Sequence, residues 1–432
     1  MNKRNNNSNV IKKSVFSRDG LDLSIIFTAA SLSIFCLVFV FSASAFEISD
    51  SKTYFNMLTL NASFKLLAKT GAFVVAGFIV MMFLALTNYK NLGEKLPKWI
   101  TAVFTSPLIY YVISCGFFIF IEIMKHVGTD VGGENGEAVL VGGGFLKKVN
   151  GAYRWINIPK LNIGFQPSEV AKLLLIIGFA LIIYNAGMVL KHKRGIILYC
   201  ILAMIPALCI FKFSSDLSSS IVVFGILFIM MFVAAPDWKN TMIIFAVMVF
   251  FCVAALFIVV GINKGKPESD IHPYQAKRIM AWIYPDEYPS TADQTTQALY
   301  AIGSGGKFGE GIGNSMQKIK KLPEAQNDMI FALICEELGL FGGFLVLILY
   351  FIMLLRMYLI AQNTDNLFDR MVVVGVISHI GLQVIINVCV VTRLFPNTGL
   401  PLPLVSSGGS SILCMYAEIG LVLNIGKSIE RR

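Results

Sequence analysis

Residues 22–46 read DLSIIFTAASLSIFCLVFVFSASAF. The one charge, Asp22, stands at the first position. A helix needs about 20 predominantly apolar residues to cross a bilayer, so this run is long enough to span and stay. A signal peptide would have a shorter apolar core and a small-residue cleavage site. The residues before the run are polar and basic, with Lys3, Arg4, Lys12, Lys13 and Arg18. Residues 1–21 therefore read as a cytoplasmic basic tail, and 22–46 as an uncleaved first helix.

Working outward, the same signal recurs. Ten spans are expected, at about 22–46, 67–87, 99–124, 169–190, 195–213, 219–235, 240–263, 328–356, 370–392 and 402–426. The composition agrees. Of the 432 residues 56% are hydrophobic and 14% charged, against about 25% charged in soluble domains, and the mean hydropathy is +0.71. That excludes a disordered chain, a disulfide-stapled secreted domain and an ordinary cytosolic enzyme. Thirty-six Lys and Arg against 26 Asp and Glu give a formal charge of +10. No basic run is interleaved with aromatics, so nucleic acid is not the expected partner. The excess fits cytoplasmic loops instead: Lys90, Lys95 and Lys98, then Lys191, Lys193 and Arg194, then Lys239, Arg356, Arg370, Lys427, Arg431 and Arg432. The fold class read from these signals is an all-α polytopic membrane protein with about ten transmembrane helices. Both termini are expected in the cytoplasm, with 22–427 as one membrane domain and 428–432 as a cytoplasmic tail. Two long segments, 125–168 and 264–327, fall outside. The eight Cys are scattered without a CxxC and read as small buried hydrophobes.

Long loops are where chemistry is expected. Residues 264–327 hold Lys277, Arg278, Asp286, Glu287, Gln294, Gln297, Lys318, Glu324 and other polar groups. Cations of this kind can hold a diphosphate, and a carboxylate can act as general base on a sugar hydroxyl. The plainer reading is a solvated loop whose charges do nothing. Gly306, Gly309, Gly311 and Gly313 are dense but follow no strand and no GK[ST], so a nucleotide loop is not expected. Glu336 and Glu337 lie about two turns into the eighth span, Glu418 in the last, and Asp216 between the fifth and sixth. Charges at such depth point either to function or to a pair that locks helices, and a proton relay is the sharper alternative. His126, His192, His272 and His379 show no metal-binding spacing, and His379 reads as a helix-packing residue. Residues 396–411, PNTGLPLPLVSSGGSS, break a helix, and broken backbone at that depth is tolerated where it lines a cavity.

Four stretches resemble the SEDS (shape, elongation, division and sporulation) family, and the resemblance covers about 22–427. Val149 to Ile156, with Phe165-Gln166-Pro167-Ser168-Glu169 and Lys172, looks like NGAxRWI…QPSExxK. Ala301 to Gly306, with Gly313, Ser315, Gln317 and Lys318, looks like AIGSGG…GxGxSxQK. Leu322-Pro323-Glu324, Asp328, Ile330 to Ala332 and Glu336 to Gly339 look like LPExxTDFIFAxxxEELG. Thr398 to Ser411 looks like TGxxLPFxSxGGSS. The resemblance implies ten transmembrane helices and a peptidoglycan glycosyltransferase in the bacterial plasma membrane. It would polymerise lipid II at the outer face, beside a class B penicillin-binding protein and other elongasome or divisome proteins. No cofactor is fixed by it, and a divalent cation such as Mg is compatible. Carried onto this chain, it makes Arg154, Lys277, Arg278, Gln297, Lys318, Glu324, Asp328, Ser406 and Ser410 substrate-binding candidates, and Glu169, Lys172, Asp216, Glu336 and Glu337 structural or relay groups. The family's essential Asp, in a DP step, aligns on Tyr288-Pro289. Asp286 and Glu287, one or two residues earlier, are the candidate catalytic base. If that base is lost, a non-catalytic scaffold for the penicillin-binding protein follows; a lipid II flippase is a third reading.

Overall fold

The computed structural model describes residues 21–47, 57–87, 105–125, 139–141, 146–149, 152–158, 163–186, 193–214, 216–235, 238–272, 274–315 and 325–430. Among them ten helices are long and apolar enough to cross a membrane. They are α1 (Leu23–Glu47), α2 (Met57–Leu86), α3 (Pro107–Lys125), α4 (Pro167–Ala186), α5 (Lys193–Ser214), α6 (Leu217–Ala234) and α7 (Trp238–Asn263), followed by α10 (Ile330–Asn363), α11 (Leu367–Val391) and α12 (Gly409–Glu430). Two shorter helices, α8 (Tyr274–Ile283) and α9 (Pro289–Gly305), occupy the segment between α7 and α10. A helix is the one open-ended element that pairs its own backbone in hydrocarbon, so continuous apolar runs resolve as helices.

The spans fall where the sequence puts them, with three corrections. α2 begins at Met57 rather than near 67, because Asn61, Ser63 and Lys65 dilute the hydropathy without stopping the helix. α3 is described from Pro107, and residues 99–104 and 187–190 of the expected spans lie outside the described residues. α10 runs on to Asn363. α12 starts at Gly409 rather than 402, since Pro401 and Pro403 cannot supply helical amides. The tail Lys and Arg residues before 21 and after 430, together with Lys90, Lys95, Lys98 and Lys191, also lie outside the described residues.

The loops are more ordered than expected. Four strands, β1 (Val139–Val141), β2 (Leu146–Val149), β3 (Ala152–Ile158) and β4 (Ile163–Phe165), pair antiparallel in the order β1-β2-β3-β4. A register shift interrupts the β2–β3 pairing at Lys147/Lys148. β4 runs directly into α4, and Phe165 packs edge-on against Phe117 of α3.

The core is built where small residues let helices approach. A Cβ on Gly420 of α12 would lie 2.7 Å from the Met81 carbonyl oxygen of α2, and one on Gly77 would strike the Tyr416 ring. Such small-residue contacts are how helices associate where the hydrophobic effect does not drive them together. Asp22 pairs with Arg356 of α10 at 2.9 Å. α7 stands apart, since its most apolar stretch buries none of its side chains. Cys36, Cys335 and Cys414 are buried as expected, but Cys252, on α7, is exposed.

α10 is interrupted at Gly339, whose φ of 71° and ψ of −171° are not helical. The carbonyls and amides that the break frees are taken up by the loop after α9. Glu310 N–H donates to the Glu336 carbonyl (3.0 Å) and Gly311 N–H to that of Glu337 (3.0 Å), while Leu340 and Phe341 donate to Gly306 (2.9 Å) and Lys307 (3.2 Å). Backbone approaches this close leave no room for a Cβ at Gly309 or Gly339. Gly339→Ala is therefore expected to lower the melting temperature of the purified protein, by the equivalent of about 1–3 kcal/mol for the backbone conformation alone. Gly116→Ala, where a Cβ meets nothing within 4 Å, should not, and thermal denaturation in detergent separates the two.

Candidate functional site

The chain break before α12 opens a cavity of about 280 Å³. α4 contributes Glu169, with Gln166 and Gly164 just before it; the start of α6 contributes Asp216 and Ser219. The 399–411 segment adds Gly399 to Pro401 and Ser407 to Ser411. Asn327, Trp155 of β3, and Leu66, Lys69, Thr70 and Phe73 of α2 complete the wall. Three long helices, α4, α6 and α12, thus begin at this cavity, and the N-terminal end of a helix carries partial positive charge and free amides.

The acidic groups are tied down individually. Glu169 is fully enclosed: Oε1 accepts from Lys172 Nζ at 2.8 Å and Oε2 from Ser411 Oγ at 3.2 Å. Lys172 also reaches Gln383 Oε1 at 3.5 Å, and Gln383 donates to the Pro401 carbonyl at 3.0 Å. The pair therefore anchors the broken segment to α11. Asp216 caps α6 through the Ser219 amide (3.1 Å) and accepts from Ser219 Oγ (2.8 Å) and Gln166 Nε2 (3.2 Å). Ser410 lines the cavity and accepts from the Gln166 amide at 3.3 Å. Ser406 does not line it; its hydroxyl donates to the Asn327 carbonyl at 2.5 Å and accepts from the Leu402 amide at 2.7 Å.

A second cluster lies beside the cavity, across Gly399. A Cβ there would sit 3.6 Å from both Arg278 Nη1 and Asp328 Oδ2. Arg278 donates to the Asn397 carbonyl at 3.1 Å and stacks 4.7 Å from the Tyr274 ring centroid. Gln294 bridges the set: it accepts from Asn397 Nδ2 at 2.6 Å and donates to Asp328 Oδ1 at 3.2 Å.

The remaining candidates are dispersed. Asp286 and Glu287 are exposed on the turn between α8 and α9 and do not line the cavity. Tyr288, next to them, is buried; its hydroxyl donates to the Lys266 carbonyl at 3.0 Å, and Pro289 opens α9 at its first position. Gln297 bonds Asp293 at 3.2 Å on the same helix. Lys277 lies near Glu268. Glu336 accepts from Ser315, and Glu337 accepts from Ser42 Oγ at 2.8 Å, both at the break in α10. His379 is not a solitary packing residue: its Nδ1 meets Glu418 Oε2 at 2.8 Å, with both side chains fully buried. The Arg154 side chain, Lys318 and Glu324 lie outside the described residues. Among the described residues no group of three or more His, Cys, Asp or Glu is placed to hold a metal ion. Sequence reading missed Lys69, Asn327, Gln383 and Asn397. Lys69 was detectable as a cation inside an expected span; the other three are neutral amides that only their bonds single out.

Comparison with known proteins settles the family. Residues 138–431 match the cell cycle protein family of FtsW, RodA and SpoVE. The chain belongs to that family. It is 37% identical over 280 residues to the stage V sporulation protein E of Bacillus subtilis, covering 64% of this chain and 72% of that one. It is 29% identical over 413 residues to the probable peptidoglycan glycosyltransferase FtsW of Geobacter sulfurreducens, covering 95% and 96%. The fold is shared with a chain in a structure described as a peptidoglycan synthase complex (TM-score 0.66, 20% identity, covering 95% and 99%). It is also shared with the rod shape determining protein RodA of Thermus thermophilus (TM-score 0.55, 21% identity, covering 94% and 97%). The ten apolar helices and the family make this a multi-pass bacterial membrane protein.

Two measurements follow from this geometry. Removing the cation with Lys172→Met leaves Glu169 buried and uncompensated, which should cost about 3–5 kcal/mol; adding Glu169→Gln should restore most of the lost melting temperature. Outside the spans, hydrogen bonds from Ser290 and Thr291 hold the Glu268 carboxyl below its usual range, with Lys277 assisting. A depressed value in the folded state means its contribution is complete at neutral pH and lost as pH falls through that value. The hydrogen-exchange protection factor at the first turn of α9, corrected for the intrinsic pH dependence of exchange, should therefore fall on acidification in the parent and stay constant in Glu268→Gln.

Proposed function

We propose that this chain is a peptidoglycan glycosyltransferase that polymerises lipid II at the outer face of the plasma membrane, in complex with a class B penicillin-binding protein. The observation that carries the reading is the polar cavity at the N-terminal ends of α4, α6 and α12. In a member of this family, its wall brings together residues of two of the four stretches that resemble the motifs, Trp155, Gln166 and Glu169 of one and Gly399 to Ser411 of another, with Asn327 from within a third. Helix N-termini and Lys69 favour an anionic group such as the diphosphate of a lipid-linked sugar. Arg278, beside the cavity, adds a planar donor suited to phosphate oxygens. Relatives named for peptidoglycan glycosyl transfer, at near full length, support the same activity.

In the reaction, a carboxylate takes the proton of the acceptor 4-hydroxyl. That oxygen attacks the anomeric carbon of the donor sugar, the glycosidic bond forms, and the lipid diphosphate leaves with the bonding electrons. The buried hydroxyl of Tyr288 is committed to a backbone carbonyl, so it is a poor base. Asp286 and Glu287 are exposed beside it and their carboxylates have no hydrogen-bonding partner among the described residues, which leaves them free to act. Asp328, held by Gln294 beside Arg278 and next to Gly399 of the cavity wall, is a second candidate, whereas Glu169 and Asp216 on the wall are tied to Lys172 and to the start of α6. A second reading, a non-catalytic scaffold for the penicillin-binding protein, draws its support from the same Tyr288.

The test is polymerisation of labelled lipid II by the chain co-purified with a class B penicillin-binding protein. Wild type is expected to make polymer. Asp286→Asn with Glu287→Gln is expected to lose about 10²–10⁴-fold, the usual contribution of a general base. Polymer from both would move the base to Asp328 or Asp293. No polymer from wild type, with the partner still bound, would favour the scaffold.

A further inference from the structure

α10 consists of two helical stretches that meet at Gly339. The stretch after the break suffices to cross about 30 Å of hydrocarbon, since about 20 residues at about 1.5 Å each do so. One end of the hydrocarbon is marked by Arg356, paired with Asp22, and by the polar Gln362 and Asn363 beyond it. Counting back about 20 residues from Arg356 puts the other boundary near Glu336 to Gly339. Exposure changes at the same level. Ile330 through Glu337 are all buried, whereas Leu340, Phe341, Phe344, Ile348 and Phe351 present an exposed apolar face.

The loop after α9 is stitched to that level. The Leu340 and Phe341 amides donate to Gly306 and Lys307. Phe308, the next residue, is 83% exposed, and Ile312 is 59% exposed. Four backbone bonds to α10 hold these side chains at a fixed depth, so their exposure is not that of a loose loop. Lys307 and Glu310 are exposed around them, the arrangement in which a charged head stays at the polar interface while its stem lies along apolar surface.

We propose that the Gly306–Gly313 loop is a membrane-interface anchor, with Phe308 and Ile312 inserted into the acyl-chain edge of the bilayer beside the broken turn of α10. The occupant of this surface is lipid, because the apolar face of α10 that borders it is itself the lipid-facing surface of a spanning helix. The anchor fixes the height of α9, and so of Gln294, Asn397 and Asp328, over the head groups. It does not depend on whether the chain is catalytic.

The test is a depth measurement on the full chain in nanodiscs of phosphatidylcholine and phosphatidylglycerol. Spin labels are placed at Phe308→Cys and Ile312→Cys after the native cysteines are replaced by Ala. Labels at Ser269→Cys, on an exposed turn, and Phe351→Cys, on the lipid face of α10, are the references. The 308 and 312 labels should show an oxygen-to-nickel accessibility ratio several-fold above that at 269 and below that at 351. A ratio equal to that at 269 would place the loop in water and overturn the proposal. Labels shielded from both reagents would mean that protein covers the loop, which overturns it equally. If the cysteine-free chain does not fold, Phe308→Trp in the native background replaces it. Brominated lipid should then quench more fluorescence than in the parent, and equal quenching would overturn the anchor.

Discussion

Inside a bilayer every backbone amide and carbonyl must be paired by the protein itself. That constraint governs each irregular feature of this chain. Where α10 opens at Gly339, the freed groups are paired by the loop that follows α9. Where the chain leaves helical geometry between α11 and α12, Asn387 donates to the Leu400 and Asp328 carbonyls, Gln383 to that of Pro401, and Tyr350 to that of Pro403. The broken segment is thus carried by polar side chains that α10 and α11 project from their buried faces. The cavity exists because this segment could not be helical, and it persists because these side chains satisfy it.

The same economy places the charges. Glu169 and Lys172 are one helical turn apart and neutralise each other, so a carboxylate can stand at the cavity wall without an isolated charge in a dry interior. Asp216 gains its stability by capping α6. The acidic groups that face the cavity are tied to neighbouring side chains and amides, and Lys69 is the cation on its wall, beside the N-terminal ends of three helices.

Tyr288 marks where family resemblance and local structure part. The aligned step begins α9 here, because Pro289 suits the first position of a helix whatever precedes it. The side chain before the proline is free to differ, and here it is a buried phenol bonded to the chain near the end of α7. What a helix start requires is the proline, and the carboxylates just before it, Asp286 and Glu287, stand exposed on the turn.

The sequence by itself determined the ten spans, since length and apolarity are local properties and a helix satisfies its own backbone. It also singled out Glu169, Lys172, Asp216 and Ser410; Glu169, Asp216 and Ser410 line one cavity, and Lys172 is bonded to Glu169 behind its wall. Its limits came at the edges and in pairs. The start of α2 was hidden because polar residues lower hydropathy without ending a helix, and the four paired strands because short strands in a Gly-rich stretch carry little pattern. The partnership of His379 with Glu418, and of Arg278 with Asn397 across more than a hundred residues, is set by how helices pack. No local pattern encodes such contacts, so only the tertiary structure decided which polar residues share a site.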